Sequence, residues 1–382
     1  MGAIRRERLT QRWTIVQQDL LPELRTELGA LTPKLERLIH ILEWVRIDEF
    51  VPASRSGMGR RPHQRSWLAN AFVAKTVLKL PTTVALIERL AIDRALRRIC
   101  GFSRHRKLPS EATFSRAFDE FAQAKLAERV HEALIKAHLG QELIGHLSRD
   151  GTAIEARERP CRAEDNVQEA AGETGTEPNA EPVKPAKKRG RPRPGEERKP
   201  TAKSRIKRQR HRSLTEMLAE MPTVCDRGTK SNAKGYKASW NGYTLHLDTA
   251  DCGVPIAAPL SSASMHDSGA AIPLSLLSAE RVTNLYDLMD AGYCSLELHE
   301  HSRSLGHVPL IDHNPRGGEK EAFEPADAVR YRERTVAERM NARLKDEFGG
   351  RNLMVRGSAK VMSHLMFGVL VLSADQLMRV LQ

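Results

Sequence analysis

The sequence has few cysteines and no grouping of them that binds zinc. Cys100, Cys161, Cys225, Cys252 and Cys294 lie tens of residues apart, with no C-x-x-C pair and no histidine at zinc spacing. A zinc finger is therefore unsupported, and the thiols read as reduced and structural. Long apolar runs are also missing: "LMFGVLVLSA" at 365–374 is too short to span a bilayer, and Asp375 closes it. The amino end lacks the apolar stretch of a secretory signal, so a cytoplasmic protein with no membrane partner is expected. Negative charge is the last shortage: 48 Asp and Glu against 61 Lys and Arg leave a net charge of +13. Such a surplus favours a polyanionic partner, either nucleic acid or an anionic surface.

What is present is enough for a large core. A chain of 382 residues, 40% of them hydrophobic, should hold two or three domains. From about 10 to 140 the apolar spacing is helical, as in "LERLIHILEWV" (35–45) and "VALIERLAIDRALRRIC" (84–100). "LPSEATFSRAFDEF" (108–121) begins with an N-cap, Ser110, and could be the second helix of a helix-turn-helix that turns Ser115 and Arg116 to DNA. A plain helical bundle fits equally well.

Residues 155–232 are poor in large apolar side chains and rich in Pro, Gly, Glu and then Lys and Arg, so a disordered or extended insertion is expected. From Lys184 to Arg212 there are fourteen basic residues against Glu196 and Glu197. Nearly all of the net charge thus sits in one arm. Within it, Arg189-Gly190-Arg191-Pro192 resembles an AT-hook core, which lies in the narrow minor groove of A·T-rich DNA. A solvated basic linker is the plainer reading, and both predict salt-dependent DNA binding.

After the arm, 242–251, 254–264, 284–293 and 307–312 read as strands, with helices between the second and third and between the third and fourth. A long helix over 322–348 and a final one over about 358–379 complete an α/β order. In "YRERTVAERMNARLKDEF", Tyr331, Arg334, Glu338 and Lys345 share one stripe of an ideal helix, while Val336, Met340 and Leu344 form the core-facing side. Asp150 closes the strand-like "HLSRDGT", and Asp290 ends "NLYDLMD" before Ala-Gly. If those two strands are neighbours, their carboxylates meet, and a later helix can bring Glu338 across. Three clustered carboxylates repel one another unless a divalent cation is present, which suits Mg²⁺ or Mn²⁺; two ions could drive an in-line attack on a phosphodiester. Each acid also has a plainer reading. Asp150 could be a turn aspartate, Asp290 a turn cap, and Glu338 a surface ion pair with Arg334. His266 and Asp267 in "SASMHDS" read as a helix cap by Asp267 rather than a metal site.

These residues carry a resemblance. The spacing Y-x2-R-x3-E-x6-K, met by Tyr331, Arg334, Glu338 and Lys345, with "RDGT" around Asp150 and "DAGY" from Asp290, resembles the DDE-type insertion-sequence transposases. It extends over about 60–155 and 233–380, and departs from the family at Cys294 and in the charged insertion. The resemblance implies an RNase H-like mixed α/β sheet flanked by helices over 141–382, interrupted by the insertion 155–232. A helical DNA-end-binding domain over 1–140 would precede it. It further implies that Asp150, Asp290 and Glu338 bind the metal and perform catalysis, while Tyr331, Arg334 and Lys345 contact phosphates of the transposon end. Double-stranded DNA, as terminal inverted repeats and target, would be the partner, with the protein acting as a homodimer. The expected activity is metal-dependent cleavage and strand transfer; the alternative is a non-catalytic DNA-binding protein derived from a transposase.

Overall fold

The computed structural model describes residues 14–52, 63–103, 105–161, 204–231, 235–315 and 318–381. Its first half is helical because polar caps punctuate apolar stripes: α1 (Leu21–Leu28), α2 (Pro33–Val45), α3 (Arg65–Val77), α4 (Thr83–Ile92), α5 (Arg94–Ile99), α6 (Glu111–Gln123) and α7 (Leu126–Leu139). Thr32 accepts from the amide of Leu35 and Thr82 from that of Ala85, each satisfying a donor the helix leaves unpaired. The single helix expected over 84–100 is two. Asp93 accepts from the amide of Leu96 and so starts α5 where the apolar spacing alone runs on. Ser110 does precede α6, but its hydroxyl meets Thr113 Oγ1 at 3.1 Å and bonds no backbone amide of the helix.

The sheet follows. Its path is β2 (Asp226–Ser231), β3 (Lys237–Ala250), β1 (Leu143–Glu155), β6 (Thr283–Met289) and β7 (Val308–Ile311), with the short β4 (Pro255–Ala257) and β5 (Leu260–Ser262) also paired to β3. β1 runs antiparallel to β3 and parallel to β6, and β6 is parallel to β7. Helices α10 (Ser268–Ala279) and α11 (Leu296–Ser304) make the crossovers around β6. α12 (Pro325–Tyr331), α13 (Thr335–Glu347) and α14 (Ser358–Leu381) end the chain. A mixed sheet flanked by helices and preceded by a helical region is the RNase H-like architecture expected.

Three expectations need correction. The insertion does not extend over 155–232: β1 continues to Glu155, and 204–231 folds as α8 (Arg205–Gln209), α9 (Leu214–Ala219) and β2. The basic residues mask its apolar anchors. Met217 joins a core with Ile272, Met289 and Tyr293, Ile206 packs on it, and Ser213 and Glu216 form a reciprocal capping box at α9. Arg189 and Arg191 lie outside the described residues. Asp150 does not close a strand but stands inside β1, five residues before its end. The 322–348 helix is interrupted: α12 begins at Pro325, and Arg332–Arg334 is a 3-10 turn. Arg330 stacks over the Tyr286 ring at 3.9 Å, holding α12 to β6, whereas α13 packs on β1 and β3. A 3-10 turn advances about 120° per residue, so Tyr331 is rotated by roughly 60° from the stripe drawn for a continuous helix.

One hydrophobic core joins the two halves, and α14 runs through it. Val361, Leu365, Leu370 and Leu372 are buried, and Phe367 meets Phe72 and Phe118 of the helical region at ring distances of 5.9 and 6.2 Å. α14 is long and apolar enough to cross a membrane, but 83% of that stretch is buried inside the protein. Near its end Asp375, 5% exposed, gathers three arginines. Arg343 of α13 donates to it at 2.6 Å and Arg379 at 3.1 Å. Arg37 of α2 stands 2.7 Å away as an ion pair. Removing the carboxylate would strand partly buried guanidinium groups, so Asp375→Ala should cost about 3 kcal/mol. Urea denaturation of the purified chain measures this, and a loss below about 1 kcal/mol would show that the cluster is a screened surface feature.

Candidate active site

The position of the site follows from where two strands part. The parallel ladder between β1 and β6 ends at the pair Arg149 and Met289, while β1 stays paired to β3 as far as Glu155. Asp150 continues β1 and Asp290 follows the last residue of β6, so the register sets them side by side at the mouth of a gap that β6 no longer fills. Beneath them Arg149 is held by Asp248 through two hydrogen bonds of 2.8 Å, and Ser278 of α10 donates to the same carboxylate at 2.7 Å. That buried pair fixes β1, β3 and α10 to one another.

Asp150 is half-buried and takes a hydrogen bond of 2.9 Å from Asn341 Nδ2 of α13. Burial pushes its carboxyl up to about 6; the negative Asp290 and Asp267 add to that push, and Lys230 and Arg334 oppose it. Asp290 accepts at 2.9 Å from the amide of Gly292, so the cap reading describes a bond it does make. Glu338 lies one helical turn before Asn341, exposed, with Oε1 2.6 Å from Arg334. The surface-pair reading therefore also describes a real contact. The turn reading of Asp150 fails, because the residue is in a strand.

Among the described residues, no three His, Cys, Asp or Glu side chains are grouped closely enough to hold a metal. Asp150 and Asp290 are neighbours, and Glu338 is on the adjoining helix but turned to Arg334. The surroundings nevertheless fit a hard cation. Lys230 of β2 serves as a stand-in charge: burial works against its ammonium, but Asp267, Asp150 and Asp290 together outweigh that and raise its pKa. Tyr293 is 1% exposed and its hydroxyl has no hydrogen-bond partner, and the same three acids help burial hold its pKa far up. Oxygen-rich donors around an unneutralised buried charge are what Mg²⁺ or Mn²⁺ requires.

Of the expected phosphate ligands, Arg334 and Lys345 are half-buried on the α13 side. Burial lowers the Lys345 pKa while Asp150 and Glu155 work to raise it, which places the ammonium within reach of the acids' field. The Tyr331 ring packs on Phe323 at 4.7 Å, with the Arg334 guanidinium 5.9 Å from its centroid. Arg116 is exposed on α6, in another part of the fold. The sequence missed Asn341, Lys230 and Tyr293, and set Asp267 aside as a helix cap. Asn341 was detectable as a polar residue breaking the apolar stripe, but Lys230 was hidden in the 155–232 segment expected to be disordered or extended. Asp267 makes no side-chain cap, contrary to its first reading, and pairs with Lys230 at 3.3 Å.

A carboxyl held near 6 when folded and near 3.8 when unfolded keeps its proton longer in the native state. Stability therefore falls as pH rises from about 4 to 6, and the penalty is complete above that window. Asp150→Asn removes the charge and keeps an acceptor for Asn341. In EDTA it should stabilise the fold by about 1–3 kcal/mol at pH 7.5, with the gain fading towards pH 4. Urea titrations across that range check it; a gain independent of pH would mean that Asp150 is not the strained acid.

Comparison with known families places the chain. Residues 204–373 match the family described as "Transposase DDE domain", and residues 24–120 match "Transposase domain (DUF772)". Together these cover more than two thirds of the sequence. Asp290, Glu338, Tyr331, Arg334 and Lys345 fall within the first match, whereas β1 and Asp150 fall in neither. No curated protein and no solved structure matches the chain.

Proposed function

Because the chain belongs to the DDE-type insertion-sequence transposases, we propose that it cleaves the ends of its own element and joins them to target DNA, using Asp150, Asp290 and Glu338. The observation that carries this reading is the paired strand ends. Asp150 and Asp290 emerge together where β6 stops, and α13 docks on β1 through the Asn341–Asp150 hydrogen bond, one turn from Glu338.

The three acids would hold Mg²⁺ or Mn²⁺, in two positions, and such ions would supply an activated oxygen nucleophile and a clamp on the leaving oxygen. The chain's own residues do the rest. Asn341 fixes the rotamer of Asp150, and the amide of Gly292 fixes that of Asp290. Glu338 joins them by exchanging Arg334 for the site, which frees the Arg334 guanidinium to fork onto a phosphate of the DNA end. Lys345 adds a point charge on the same side, and Tyr331 one hydroxyl donor.

DNA has a second place to rest. A groove of about 560 Å³ between the helical region and the segment before α14 is lined by Lys75, Arg157, Arg356 and Lys360, with Ser115 of α6 at its wall. The helical region would hold the terminal inverted repeat there, Arg116 and the arm with Arg189 and Arg191 would add phosphate contacts, and two copies would bring two ends together in the cytoplasm.

Asp290→Asn should lower Mg²⁺-dependent nicking of a supercoiled plasmid carrying the cognate ends by about 100-fold or more, with end binding unchanged. Retained nicking would overturn the assignment and favour a DNA-binding protein that does not cut. Loss of end binding together with nicking would show that the substitution disrupts the fold, and Glu338→Gln then becomes the deciding variant.

A further inference from the structure

On the α10 side of the gap, the chain offers one more acid. Strand alternation turns Asp150 towards α13 and Gly151 towards α10. A Cβ at Gly151 would stand 2.5 Å from Asp267 Oδ1, so only glycine lets that carboxylate lie against the β1 backbone beside Asp150. Asp267 is followed by α10 but gives it no cap, and it accepts from Lys230 at 3.3 Å. Two buried polar atoms face it without a hydrogen-bond partner. His246 Nδ1, on a fully buried side chain, is 3.8 Å from Asp267 Oδ1, and the Tyr293 hydroxyl lies in the field of Asp267, Asp150 and Asp290.

We propose that Asp267 is a fourth carboxylate of the cation site, reaching the gap beside Asp150 from the opposite face of the sheet, and that Lys230 occupies its place as an exchangeable counter-ion until a divalent cation enters. The inference rests on the acid-site reading above. An ammonium is a cation that the chain can supply to such a position by itself, and β2 carries Lys230 at the hairpin edge, with its side chain 55% exposed. The unpartnered Tyr293 hydroxyl and His246 nitrogen are suited to the water that a hydrated divalent ion brings.

The test is Mn²⁺ binding to the full metal-free chain without DNA, read by the electron paramagnetic resonance of free Mn²⁺, with circular dichroism confirming the fold. Asp267→Asn should weaken binding tenfold or more. Lys230→Met should tighten it severalfold, because the competitor is gone. Asp150→Asn is the reference for the site itself. Wild-type affinity in Asp267→Asn, with binding lost in Asp150→Asn, overturns the fourth acid and leaves the acid-site reading standing. Wild-type affinity in both overturns that reading as well. If Asp267→Asn does not fold, Lys230→Met decides, and unchanged or weaker binding there overturns the proposal.

Discussion

The constraint on which the structure depends is the unequal length of two parallel neighbours. β1 continues to Glu155 while β6 ends at Met289, so beyond Arg149 the edge of β1 opens into a gap. Side chains from both faces of the sheet can reach that gap. The chain fills it with acids, and an electrostatic strain follows from their number and burial. Asp150 is the residue that shows it, with its carboxyl pushed up to about 6. A stability-optimised fold would place a neutral side chain there. The proposed cation reverses the sign of that cost, since a charge that destabilises the free protein is a ligand once the ion is bound.

The second constraint is that Glu338 is not on the sheet. It depends on α13, and α13 is held from two directions. On one side Asn341 reaches Asp150; on the other Arg343 reaches Asp375 of α14, whose own apolar length packs into the helical region. Arg37 of α2 meets the same carboxylate. A continuous path of packed and paired side chains thus runs from the region proposed to bind transposon ends to the helix that carries the third acid. Such a path is what would let occupancy of one be felt at the other, because packed cores shift between discrete arrangements and do not deform smoothly.

Much of this was legible in the sequence, and the reason is local. Strands β3, β6 and β7, helices α10, α11 and α14, and the core face of Val336, Met340 and Leu344 all declare themselves by periodicity, which depends on neighbours a few positions away. Asp150 and Asp290 could be picked out because both end or interrupt apolar strand patterns, but their adjacency was conditional on the two strands being neighbours. What escaped detection was set by contacts distant in sequence. The folding of 204–231 was masked by its charge, since Ile206 and Met217 anchor it only once α10 and β6 are in place. The 3-10 turn at Arg332–Arg334 comes from α12 and α13 being held by different strands. Asp267 looks like a cap in any window of sequence; its pairing with Lys230 joins residues 37 positions apart.

That last case shows why composition misled as well as informed. The basic surplus pointed to a polyanion, yet Lys230, a residue counted with the arm's surroundings, is paired to Asp267 of its own chain. Arg149 and Arg343 are likewise spent on Asp248 and Asp375. Charges committed to internal pairs contribute little to an encounter with DNA, because their fields are cancelled within a few ångströms. Among the described residues, cations that the fold leaves without a carboxylate partner can meet phosphate: the half-buried Lys345, and Arg157 and Arg356 in the groove beside α6, where Lys360 is instead paired to Asp119. Arg334 belongs to both groups. Its bond to Glu338 makes it an internal partner now, and releasing that bond would deliver an acid to the site and a guanidinium to the DNA in a single movement.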